Sequence, residues 1–87
     1  SKGGFQMTDN LRRLQNVVSK QLGIDPKNIK PGLDFGNDLG AESLDVVELI
    51  MAIEDEFDID IEDQIANQIR TIDDVLDYIE KKKLEKF

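Results

Sequence analysis

At 87 residues the chain has room for one domain, small enough that only about 60% of the unfolded surface can be buried on folding. It contains no cysteine and no histidine, which excludes a disulfide framework, a thiolate metal site, a cysteine nucleophile and a serine–histidine triad. Its net charge of −8 is concentrated: residues 34–63 hold twelve acids and no lysine or arginine, a block that repels phosphate backbones and steers basic surfaces toward the middle of the protein.

No apolar run approaches the roughly 20 residues needed to cross a bilayer. The opening "SKGGFQM" shows little periodicity. Residues 1–6 therefore read as an appended or disordered lead before a natural start at Met7, with residues 7–87 as a single domain.

Thr8 or Asp9 is placed to cap a first helix, in which Leu11, Leu14, Val18 and Leu22 form one apolar stripe widened by Val17. Gly23 fits the left-handed position that ends it. Residues 24–42 carry both prolines and four of the six glycines lie between 23 and 40, so the segment reads as a long loop. Ile24, Ile29, Leu33, Phe35 and Leu39 would anchor it, and Asp25-Pro26 suits a short helical turn.

A second helix is expected from Ser43 to about Phe57. Serine is a favoured N-cap, and Asp45 in the first turn complements the helix dipole. Val46, Leu49, Ile50, Ile53 and Phe57 make its core stripe. Leu44, Val47 and Met51 recur on a different face, interleaved with Asp45, Glu48 and Asp55, and an apolar strip edged by carboxylates has the composition of a docking surface. Burial of a wide arc of a central helix accounts for the same three residues.

"DIDIED" alternates like a strand, but with no partner strand Ile59 and Ile61 read as loop anchors. A short third helix near residues 63–68 would turn Ile65 and Ile69 inward. Thr71 and Asp74 have capping-box spacing for a last helix, with Ile72, Val75, Leu76 and Ile79 as its stripe and Lys81–Lys83 at its negative end. The expected fold is all-α: a four-helix bundle with a short third helix and a long loop between helices 1 and 2.

The stretch Leu39-Gly40-Ala41-Glu42-Ser43-Leu44-Asp45, continued by Val47-Glu48-Leu49 and Met51-Ala52, resembles the acyl carrier proteins of type II, dissociated fatty-acid synthesis. The likeness extends from Leu11 to Glu80. It implies that Ser43 is not a nucleophile in turnover but the point at which a separate transferase attaches 4'-phosphopantetheine from coenzyme A, with magnesium assisting. The terminal thiol of that arm would hold growing acyl chains as thioesters. The protein would be a non-catalytic, monomeric carrier. An imported thiol makes sense of a chain without cysteine, and a phosphodiester suits the N-terminus of a helix.

The resemblance further implies that Leu44, Val47 and Met51 contact partner enzymes, and that Asp38, Glu42, Asp45, Glu48, Glu54 and Asp55 meet their basic docking patches. Val46, Leu49, Ile53, Ile61, Ala66 and Ile69 would line a pocket for the acyl chain, although ordinary core packing accounts for them equally. Glu42 departs from the family's usual aspartate, and Gln64 and Asn67 stand where acids are common. Neither acid cluster fits an EF-hand register, so no metal site is expected. Bacterial cytoplasm is the expected location, with an organelle as the alternative had a leader been removed. Two other functions stay open: a carrier for polyketide or specialised acyl groups, and an unmodified acidic adaptor that docks through the second helix.

Overall fold

The computed structural model describes residues 5–38 and 43–85. Four helices follow in order: α1 (Phe5–Leu22), α2 (Ser43–Phe57), α3 (Asp63–Ala66) and α4 (Ile72–Glu85), with a 3-10 turn at Pro26–Asn28 between α1 and α2. This is the expected bundle, with the expected short third helix and long first connection. No helix among the described residues is long and apolar enough to cross a membrane.

Helix α1 begins earlier than the capping residues predict. Thr8 and Asp9 lie inside it, and Asp9 pairs with Arg12 one turn on. No helix breaker stands between Phe5 and Asp9, so a good capping residue does not by itself interrupt the helix. Of the six residues read as a lead, 5 and 6 are thus helical, and residues 1–4 lie outside the described part. At the other end Gly23 adopts φ +70°, and its amide donates to the Ser19 carbonyl at 2.8 Å. A side chain is strained in that conformation, which explains the glycine.

The core is a single cluster. Leu14 and Val18 come from α1, Leu49, Ile53 and Phe57 from α2, and Ile72, Val75, Leu76 and Ile79 from α4. Ile29, Phe35, Ile59 and Ile61 enter it from the loops, so both connections are pinned by buried side chains as their sequences predict. Helix α1 is the shared partner, packing on α2, α4 and the 3-10 turn, while α3 has no comparably close helix partner. Buried Asn10 donates to the Glu80 carboxylate and ties α1 to α4.

Backbone bonds hold the long loop where periodicity is silent. Phe35 N donates to Arg70 O at 2.8 Å, Ile72 N to Leu33 O at 3.3 Å and Asp73 N to Pro31 O at 2.8 Å. The loop is thereby laced to the start of α4. That start is itself a capping box: Asp74 N donates to Thr71 Oγ1 at 3.2 Å, and Asp74 Oδ2 accepts from Arg70 N and Thr71 N.

Candidate functional site

Helix α2 opens at Ser43, so the serine stands where four backbone amides lack intrahelical acceptors and the dipole is positive. Residues 39–42 of the motif, Glu42 included, lie outside the described part, as do the side chains of Ser43 and Leu44. Immediately upstream, Asp34 Oδ1 accepts from Gly36 N at 2.8 Å and Asn37 N at 2.9 Å, and Asp38 Oδ2 accepts from Asp34 N at 2.8 Å. Asp38 is exposed, yet one of its oxygens is committed to shaping the turn that leads toward the motif. No group of acids among the described residues is arranged to hold a metal ion.

The apolar residues of α2 divide into two sets. Leu49, Ile53 and Phe57 are buried in the core, whereas Val46 and Ile50, expected in the same stripe, are only half-buried. The reason is angular: Val46, Ile50 and Glu54 repeat every four residues and drift off the core face toward α3. Together with Val47 and Met51 they form one side of a cleft of about 640 Å³. Ile61 and Ala66 line the opposite side, and Asp63 and Asn67 close the rim.

Of the six residues expected to receive an acyl chain, Val46, Ile61 and Ala66 meet in this cleft. Leu49 and Ile53 stand in the core instead. Ile69 lines a separate groove between α3 and α4, beside Ile65 and Tyr78. The residues expected to meet partners are better grouped. Val47 and Met51 are exposed to 55% and 59%, large values for apolar side chains, and Glu48 and Asp55 are exposed beside them. Asp45 is half-buried.

Glu54 departs from the simple picture of a docking charge. It is half-buried, and its Oε2 accepts from Ile61 N at 2.7 Å. Its carbonyl accepts from Ile59 N at 3.2 Å, and Asp58 between them takes φ 55° to reverse the chain. At the end of α2 lies a second residue that periodicity does not reveal. Arg13 reaches across from α1 to donate to the Glu56 carboxylate and carbonyl.

A small helical bundle with an acidic second helix opening on a serine, beside an apolar cleft, has the form of a carrier module. Residues 12–79 match the family described as "Phosphopantetheine attachment site". The chain is 64% identical over 75 residues to an acyl carrier protein of Phaeodactylum tricornutum, covering 86% of this chain and 99% of that protein. It is 55% identical to that of Cylindrotheca sp. over 92% of this chain and all of the relative. With the acyl carrier protein of Bdellovibrio bacteriovorus it shares 47% identity, over 80% of this chain and 90% of the relative. The chain belongs to the acyl carrier protein family. It is a carrier rather than a catalyst, and its cofactor is 4'-phosphopantetheine. Its relatives include algal and bacterial proteins.

Proposed function

We propose that Ser43 carries the 4'-phosphopantetheine arm and that the protein delivers growing fatty acyl chains to the enzymes of a dissociated fatty-acid synthesis system. The observation that carries this reading is the position of Ser43 as the first residue of the 15-residue helix α2. A phosphodiester there would face unpaired backbone amides and the positive end of the dipole, a favourable place for an anion. When attached, the arm supplies the thiol that the chain itself lacks, and with it the thioester chemistry.

The protein's own residues then orient and protect. The cleft beside α2 offers apolar walls from Val46, Ile50, Ile61 and Ala66 to an acyl chain. Leu44, Val47 and Met51, with Asp38, Glu42, Asp45, Glu48 and Asp55, form the face that partners read, among them the phosphopantetheinyl transferase that installs the arm. Exposed charge pairs are worth only about 0–1 kcal/mol each, which suits brief visits to many basic enzymes. The bacterial cytoplasm or the interior of an organelle is a compatible place of work.

The test is intact mass after incubation with a broad phosphopantetheinyl transferase and coenzyme A. A single phosphopantetheinyl addition, absent in Ser43→Ala, is expected. Lack of addition to the wild-type chain would overturn the assignment. Competition between fatty-acid, polyketide and aminoacyl loading enzymes then reads the cargo class.

A further inference from the structure

The far wall of the cleft joins a core side chain, Ile61, to a helix with little of its own to hold it. Helix α3 is a single turn, Asp63–Ala66, with no buried residue and no side-chain bond at its N-cap Glu62. Elements with few buried contacts open at low free-energy cost. Two side chains restrain the chain just ahead of it. Glu54 on α2 accepts from Ile61 N at 2.7 Å, and Tyr78 on α4 donates from its hydroxyl to Asp60 O at 3.2 Å. They bond adjacent residues from two different helices. Only the first lies on the cleft, since Glu54 and Ile61 both line it while Tyr78 borders the separate α3–α4 groove.

We propose that Glu54 is the positioning residue of the acyl cleft. Its carboxylate, holding the Ile61 amide, fixes how far the wall formed by Ile61 and Ala66 stands from α2, and so sets the length of apolar chain that the cleft admits. The carboxylate is the right group for such a restraint. An ionised acceptor bonds a backbone amide more strongly than a neutral one, and the half-buried setting shields the bond from competing water. The bond restrains Ile61, a core side chain, two residues before the chain enters a one-turn helix that has no buried residue. This inference rests on the reading that the acyl chain lies in the cleft.

Two measurements separate the latch from the cargo reading. The first is amide hydrogen exchange at Ile61 in the unmodified chain, which needs no cargo. Glu54→Ala is expected to speed exchange there on the order of ten-fold, the usual worth of a hydrogen bond to a charged group, while Leu14 and Ile79 change far less. Equal exchange in variant and wild type overturns the latch. The second uses saturated acyl chains of graded length loaded through the arm, with NMR shifts at Ala66 as the readout. In the wild type the shift should grow with length and then level off, and in Glu54→Ala the levelling should come at a longer chain. The same plateau in both overturns the proposal, and no dependence on length in the wild type overturns the cargo reading instead. Tyr78→Phe releases the loop from α4 and should leave the plateau unmoved; a shift equal to that of Glu54→Ala would mean general loosening and sink the assignment. If Glu54→Ala does not fold, Glu54→Gln should give a smaller change in the same direction, and no change in either readout counts against the latch.

Discussion

Arg13 and Glu56 close the bundle at the end of α2. The Arg13 guanidinium donates from Nη2 to the Glu56 carbonyl at 2.6 Å and from Nε to the Glu56 carboxylate at 2.9 Å, and it lies 4.4 Å from the centre of the Phe57 ring. No basic residue occurs in the last turn of α2 itself. A residue of α1 therefore supplies the cation that the negative end of the helix dipole favours.

Arg13→Ala should lower stability by about 1–2 kcal/mol, chiefly through the carbonyl bond and the ring contact. The ion pair adds little because both partners are about 40% exposed and solvent screens them. Arg13→Lys should recover only part of the loss, since an ammonium cannot serve both oxygens and stack on the ring. Urea unfolding of the three proteins checks the order, and a lysine variant as stable as the wild type would contradict it.

Acid should weaken the start of α4. The amide of Arg70 holds the Asp74 carboxyl below its usual value, against the opposing effect of burial and with help from Thr71. A depressed folded pKa means that the stabilisation is complete above the unfolded value, roughly 3.9, and is lost as pH falls through the folded one. Asp74→Asn should flatten the acid limb of a stability-against-pH curve in that window. Thr71→Ala should cost about 1 kcal/mol near neutrality as a lost cap.

Phe35 anchors the loop preceding α2 with a buried aromatic ring. Its amide bonds Arg70 O, so one residue supplies both a core side chain and a rung of the lacing to α4. Phe35→Ala should cost about 3–5 kcal/mol. Phe35→Leu should cost less because it conserves more volume. Thermal unfolding compares them, and an alanine variant within about 0.5 kcal/mol of wild type would show that the loop is held by its backbone bonds alone.

Charge reversal on the docking face should change encounter and leave folding alone. Glu48 is exposed on α2, in a block of the chain without a single base. Glu48→Lys should slow association with a basic partner enzyme and reduce its salt dependence. Stability should stay within about 0.5 kcal/mol. Stopped-flow association at several salt concentrations reads the first effect, and an unchanged salt slope would remove Glu48 from the docking face.

Much of this molecule is legible in the order of its residues. The stripe of α4, the capping box at Thr71 and Asp74, the left-handed Gly23 and the opening of α2 at Ser43 are all local patterns, and local patterns survive folding. What sequence misses is set by tertiary geometry. Arg13 meets Glu56 across 43 positions, and no periodicity links them. Val46 and Ile50 satisfy a core period but face α3, because a stripe predicts a side of the helix and not the neighbour that covers it. Glu54 reads as one more surface acid until the chain reverses at Asp58 and brings the Ile61 amide under its carboxylate. The resemblance carried by residues 39–52 identifies the family, but assigns no latch and no clamp.

Val47 and Met51 are exposed at the surface and at the same time line the cleft. On the proposed reading, a side chain in that position answers both to the proteins that meet it outside and to the volume behind it. Substitution at either residue would then be pleiotropic. Specificity for partner and for cargo would drift together there and separately at Glu48 and Ala66, where each demand acts alone.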